Sequence, residues 1–343
     1  MIRPIHGFAL VTLGISAACA KVSPAIIGGP AVNVSAVAET VPVATSNRDA
    51  ADDPAIWRNP ANPAASLIVG TDKKGGLYVY DLKGAQKSFL PAPGLNNVDL
   101  ADGTILVIAS DRSDLDEAQL FLALLDPETA VLTPAGQIAV GPGEGYGICI
   151  AKPASSADVA VFSAPKNGVI YRTIITRSAA GFAGATTALA TVPSQPEGCI
   201  ADPRTGTLYI GEEDDGLCAI DSDTGAKRMV APVDNDMLVA DLEGLAIAPA
   251  GDDGGYLVAS SQGDNAYAVF RLPDMTPVGR FRIAAGTFGG TEETDGIAID
   301  NRDFGPDFPG GIFIAQDGIN PPAAQNFKYA RWDEILGLLE AEQ

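Results

Sequence analysis

Six times along this chain a distinctive residue opens a short apolar run: "DPAIW" from Asp53, "DLADG" from Asp99, "YGICI" from Tyr146, "EGCIA" from Glu197, "EGLAI" from Glu243 and "DGIAI" from Asp295. The intervals are 46, 47, 51, 46 and 52 residues, and the Asp99 copy matches least well. Further runs such as "GLYVY", "DVAVFS", "TLYIG" and "GYLVASS" are set apart by Gly, Pro, Asp and Asn, the pattern of an all-β chain built from hairpins. Six units of about four strands each are the signature of a β-propeller. The expected fold is therefore all-β: a six-bladed β-propeller of four-stranded antiparallel blades. "ETVPVAT" (Glu39–Thr45) precedes the first unit and has strand character. It is expected to form the outer strand of the last blade, closing the ring and removing two sheet edges. "RWDEILGLLEAEQ" at the end is expected to hold one short helix.

The first residues, "MIRPIHGFALVTLGISAACAKVSP", combine Arg3, an apolar stretch from Phe8 to Ala17 and the small-residue site Ala18-Cys19-Ala20. This predicts a secretory signal over residues 1–20, a flexible segment over 21–38 and one propeller domain over 39–343. Cys19 leaves a lipid anchor open as an alternative, although Ser16 stands where such signals usually carry Leu. No later segment has the ~18 apolar residues a membrane span needs, so the expected location is secreted or periplasmic. Removal of the signal takes away the single histidine, His6, and leaves 21 Lys and Arg against 43 Asp and Glu. Such a chain repels nucleic acid and anionic membranes. Three cysteines remain, Cys149, Cys199 and Cys218, so at most one bridge can form; Cys149 and Cys199 fall at matching points of the repeat, and buried free thiols stay open as the other outcome.

Two repeated positions bear on chemistry. The first strands of a propeller line its central channel, so the opening residues Asp53, Asp99, Tyr146, Glu197, Glu243 and Asp295 are expected to converge at one mouth. The loop after each second strand reaches the same mouth, because neighbouring strands are antiparallel. In order these loops offer Lys73 and Lys74, Arg112, Lys166, then Glu212, Glu213 and Asp214, Gln262, and Asp317 with Asn320. Blades one to three thus bring cations and blades four to six bring oxygens. Crowded carboxylates are costly unless something positive lies among them. An all-oxygen set suits a hard cation, Ca²⁺ above all, and facing Lys and Arg suit phosphate.

The same residues exclude other chemistries. Without histidine there is no phosphohistidine nucleophile and no Ser-His-Asp triad. The cysteines sit inside apolar strands, which disfavours a thiolate nucleophile. "GPGEGYG" (Gly141–Gly147) loosely resembles a dinucleotide loop but leads into a strand. "DSDTG" (Asp221–Gly225) begins like an EF-hand loop but lacks its terminal Glu and flanking helices, and reads as a hairpin turn. Metal-assisted hydrolysis by water remains.

The segments "AADDPAIW", "GTDKKGGLYVYDLKG", "LNNVDL", "PEGCIADPRTGTLYIGEEDDG", "DLEGLAIAPAGDDGGYLVASSQGDNAYAVF", "TDGIAI" and "GIFIAQDGINPP…QNFKYARW" resemble the β-propeller phytases, also called alkaline phytases. The resemblance runs from about Glu39 to Trp332 and is weakest from Asp114 to Gly136. It implies a secreted enzyme.

 The implied fold is a six-bladed propeller, expected to act as a monomer. The implied enzyme is a phosphoric monoester hydrolase of the 3-phytase type that needs several Ca²⁺ ions, catalytic and structural. Its substrate is myo-inositol hexakisphosphate (phytate) or its calcium complex, and its products are inorganic phosphate and lower inositol phosphates. A water held by Ca²⁺ attacks phosphorus with no covalent phosphoenzyme, and a cleavage site adjoins a second phosphate site.

Carried over motif by motif, the resemblance assigns metal-ligating roles to Asp53, Glu197, Glu213, Asp241, Glu243 and Gln262. It assigns phosphate contacts to Lys73, Lys74, Arg112, Tyr146 and Lys166, and structural Ca²⁺ to Asn97, Asp99, Asp295, Asp317 and Asn320. Catalysis is expected to centre on Glu213 and Glu243, with Lys73, Arg112, Tyr146 and Lys166. Two departures stand out: Ile319 replaces an acid usual in the family, and Lys166-Asn167 replaces a usual Lys-Glu. A Ca²⁺-dependent propeller lactonase or esterase is the rival enzyme reading, and a calcium-stabilised binding propeller the rival without catalysis. The lactonase has no need of Lys73, Arg112 and Lys166 at one mouth. The binding scaffold needs an exposed apolar patch.

Overall fold

The computed structural model describes residues 27–46, 49–100, 104–151 and 158–342. The expected signal, with Cys19 and its possible anchor, lies outside them. Six antiparallel sheets of consecutive strands occupy residues 51–91, 95–142, 147–191, 196–232, 242–284 and 297–331. They are blades one to six of a β-propeller. Their first strands, Ala51–Trp57, Leu95–Leu100, Gly147–Ala151, Pro196–Asp202, Leu242–Ala250 and Ile297–Asp300, touch one another in sequence around the axis, the last meeting the first.

The repeat has a steric cause. A Cβ added at Gly147 would lie 2.1 Å from the Glu197 carbonyl oxygen, one at Gly198 2.2 Å from that of Glu243, and one at Gly244 2.6 Å from that of Asp295. At these glycines the inner strand therefore approaches the next blade too closely for any side chain. Backbone bonds cross these seams: Gly244 N–H donates to Asp295 O at 2.9 Å and Gly296 N–H to Asp52 O at 3.0 Å.

Apolar side chains fill the spaces between blades. Val69, Val79, Val98, Val107 and Leu125 form one such layer between blades one and two. A disulfide joins Cys149 to Cys199, linking the first strands of blades three and four, while Cys218 is buried and free. The helix α1 (Trp332–Ala341) buries Trp332, Ile335 and Leu339 against blade five, since the three lie on one helical face.

The ring closes through the N-terminal segment, as expected, with a shift in detail. Ala38–Glu39 pairs antiparallel with Asn326–Arg331 of blade six, and backbone bonds from Thr40 to Phe327 and from Val43 to Gln325 extend the contact. The segment expected to be flexible, 21–38, instead contains a strand, Val32–Ser35, running parallel to Thr276–Ala284 as a fifth strand of blade five. Alternate burial of Val32 and Val34 accounts for it, and Gly29 O accepts from the Arg280 guanidinium at 2.8 Å.

Closure is also ionic. The fully buried Lys328 ammonium lies 2.5 Å from Glu39 on the closing strand, 3.0 Å from Asn326 Oδ1, 3.2 Å from Asp317 and 3.3 Å from Asn320 Oδ1. Lys328→Met should leave these oxygens without their cation and cost about 3–5 kcal/mol. Urea unfolding measures it, and a wild-type midpoint would show that the pair contributes nothing to closure.

Candidate active site

One register shift recurs in four inner strands: between Ala51 and Pro54, Leu95 and Val98, Pro196 and Cys199, and Leu242 and Leu245. Each is a bulge, which leaves two residues out of the ladder and re-aims their side chains. The bulge makes Asp52, Asn96, Glu197 and Glu243 equivalent. The glycine approaches at 147, 198, 244 and 296 add Tyr146 and Asp295 to the same ring. The ring at the mouth is thus Asp52, Asn96, Tyr146, Glu197, Glu243 and Asp295. Expectation placed Asp53 and Asp99 there. Asp53 is the second residue of its bulge, one past the ring position, and Asp99 lies beyond the bulge of blade two, paired with Ile108 in the ladder.

A second repeat sets the outer wall. Just past the second strand of five blades one backbone N–H reaches back to a residue one to three positions before the first strand: Lys73 to Ala50, Arg112 to Gly94, Lys166 to Glu144, Glu213 to Gln195 and Gln262 to Asp241. Five equivalent side chains are thereby held over the mouth. In blade six the equivalent bond comes from Gly318, donating to Glu292, which brings no side chain.

The resulting cavity, about 330 Å³, is lined by Lys73, Tyr146, Glu197, Glu213, Asp241, Glu243, Gln262 and Asp295 among the predicted residues. Carboxylate oxygens of Glu197, Glu213 and Glu243 lie within 4.8 Å of one another. Glu243 Oε2 is buried without a hydrogen-bond donor. Burial, then the Glu197 charge, pushes the Glu243 carboxyl well above its usual range. Burial raises Glu213 and Asp241 as well. Glu197 Oε1 accepts from Asn96 Nδ2 at 3.1 Å, Asp295 Oδ1 from Gln262 Nε2 at 2.7 Å, and Glu213 from Gln195. An oxygen-only cluster with an undonated buried carboxylate fits a hard divalent cation.

Lys73 departs from the expected sorting of charge by blade. It is 8% exposed, and its ammonium lies 2.8 Å from Asp49, 2.9 Å from Asp52 and 3.2 Å from Asp295. Burial opposes its charge, but Asp52, Asp295, Glu197 and Asp49 together hold its pKa well above the ordinary value. Arg112 and Lys166 stand at the edge, 5.7 and 4.3 Å from the centre of the Tyr146 ring. Burial and the charges of Glu197 and Glu243 push the Tyr146 hydroxyl up. Lys74 lies outside the cavity, donating to the Asp49 carbonyl at 2.6 Å.

The other predicted ligands lie apart. Asp53, Asn97 and Asp99 line a separate cavity of about 530 Å³ along the channel. Asp53 accepts from Val98 N–H at 3.0 Å and Asp99 from Ile150 N–H at 2.8 Å, each stitching its blade to the next. Asp317 and Asn320 face the Lys328 ammonium, at 3.2 and 3.3 Å. Asp49, Asp52, Asn96 and Gln195 were not singled out from sequence. The doublet Asp52-Asp53 carried a signal for Asp52, but pairing register decides between its members.

Buried carboxyls with raised pKa values make a pH prediction. Burial lifts Asp99 from 3.8 to about 6, and burial also raises Asp52, Asp53 and Asp295. The folded state then holds protons that the unfolded state has released, so stability falls as pH climbs from about 4 through about 6. In chelator the melting temperature should be higher at pH 5 than at pH 7.5 by a few degrees. Asp99→Asn should flatten that slope. A slope identical in wild type and Asp99→Asn, measured by thermal denaturation, would remove Asp99 as a source.

The family model described as Phytase matches residues 7–343. The 3-phytase of Bacillus subtilis (strain 168) is 35% identical over 323 residues, spanning 88% of this chain and 84% of the relative. A match of that extent, on a six-bladed ring whose mouth gathers oxygens and cations, shows that the chain belongs to the phytase family.

Proposed function

We propose that this protein is an exported, Ca²⁺-dependent phytase that hydrolyses phosphate monoesters of myo-inositol hexakisphosphate, taken as its calcium complex. The carrying observation is the convergence of Glu197, Glu213 and Glu243 in one cavity with Lys73 and Tyr146. Glu197, Glu213 and Glu243 would hold Ca²⁺, with Asp241, Gln262 and Asp295 beside them. An ion held by these residues would supply positive charge against the phosphate and a water of lowered pKa.

The chain's own groups do the rest. Lys73 presents a permanent positive charge at the floor of the cavity, oriented by Asp49, Asp52 and Asp295. Arg112 and Lys166 offer donors at the rim for a second phosphate, with Tyr146 as the wall between rim and floor. Lys74 contributes charge outside the cavity. No side chain serves as a nucleophile, so no covalent phosphoenzyme forms. The products are inorganic phosphate and lower inositol phosphates, with first cleavage at the 3-position as the name of the Bacillus relative suggests. Residues 1–20 act as the export signal, and the protein works as a monomer.

Phosphate release from calcium phytate should far exceed release from p-nitrophenyl phosphate, and chelation should abolish it. Equal turnover of both substrates in chelator would refute the proposal. Glu213→Gln should lower kcat at least ~100-fold, and a near-wild-type rate would exclude Glu213. Lys166→Ala should weaken turnover of phytate while leaving the melting temperature within about 2 °C; a parallel loss of stability would make Lys166 structural.

A further inference from the structure

Glu144 has no part in the chemistry above, yet the structure builds a loop to present it. It lies in the glycine-rich stretch between blades two and three. Gly143 has φ +120°, a conformation side chains rarely adopt, and its N–H donates to Asp116 O at 2.8 Å. A Cβ at Gly145 would stand 2.5 Å from the Asp111 carbonyl oxygen, so the loop presses directly onto blade two. Asn167 fastens it from blade three, donating to Pro142 O at 2.8 Å. Held in this way, Glu144 Oε1 lies 2.5 Å from the Arg112 guanidinium and 3.6 Å from the Lys166 ammonium.

We propose that Glu144 is a built-in stand-in for a phosphate group: its carboxylate occupies the anion position between Arg112 and Lys166, and a phosphate of the ligand must displace it. The inference rests on the phytase reading for the identity of that ligand, while the exchange itself requires only a phosphate anion. Both cations keep other supports when the carboxylate leaves. Arg112 donates to Asn96 Oδ1 at 2.9 Å, both cations pack on the Tyr146 ring, and the Lys166 backbone bonds to the Glu144 carbonyl rather than its side chain. The position is therefore pre-formed, and Glu144 lowers its affinity by competition and like charge. A weakened grip on phosphate favours release of product, and in the empty mouth the Glu144 carboxylate offsets the repulsion between the two cations.

Glu144→Gln preserves the shape and removes the charge. Calorimetric titration with inorganic phosphate should show a dissociation constant about tenfold lower than wild type, about 1.4 kcal/mol. Product inhibition of phytate turnover should appear at correspondingly lower phosphate. Glu144→Asp, whose shorter side chain keeps the charge but loses reach, should fall between the two and serves if the glutamine variant does not fold. Unchanged or weaker phosphate binding in a folded Glu144→Gln would overturn the inference. Tighter phosphate binding without phytate hydrolysis would uphold it and count against the phytase reading alone.

Discussion

Everything at the mouth depends on how closely six inner strands crowd one axis. Where Gly147, Gly198, Gly244 and Gly296 pass the neighbouring blade, no Cβ fits. The residue just before each glycine is Tyr146, Glu197, Glu243 or Asp295, and its side chain has nowhere to go except the mouth. The acids are thus neighbours because the backbones are. Their mutual repulsion is a by-product of ring geometry that charge and hydrogen bonding must then offset.

The offsets differ around the ring. On the side of blades one and six a lysine supplies the positive charge, with three carboxylates within 3.2 Å of the Lys73 ammonium. At blades two and three Arg112 and Lys166 answer to Glu144, and Asn96 links Arg112 to Glu197. Among the described residues, blades four and five bring no such cation: Glu197, Glu213 and Glu243 face each other with one buried oxygen of Glu243 undonated. The least compensated negative charge in the mouth is therefore also where a cation gains most by entering.

The repeat, the six blades and the closing strand were legible because their causes are local: turn residues, alternating apolar runs and glycines recurring at near-constant intervals. Glu197, Glu243 and Asp295 were legible too, since each directly precedes a glycine that fixes its register. Blades one and two have Asp53 and Asn97 at that glycine position, so the sequence did not decide between Asp52 and Asp53, or between Asn96 and Asn97, as the member of the ring. A bulge shifts side chains without changing residue type, and only pairing reveals it. The lysine beside Asp317 was hidden for a different reason: Lys328 lies on another strand and meets Asn320 only after the hairpin forms. Val32–Ser35 was missed because its partner strand lies some 250 positions away and four alternating residues carry little signal by themselves.

Sequence distance also governs how the ring is made. Glu39 meets Lys328 across 289 positions, so the closing strand must wait for nearly the whole chain. Contacts of that span form late, because loop entropy is spent before any bond repays it. Until then blade six presents an open ladder of amides and carbonyls. Such an edge accepts the equivalent strand of another copy as readily as its own, so the interval before closure is when this protein is most prone to swap strands or aggregate.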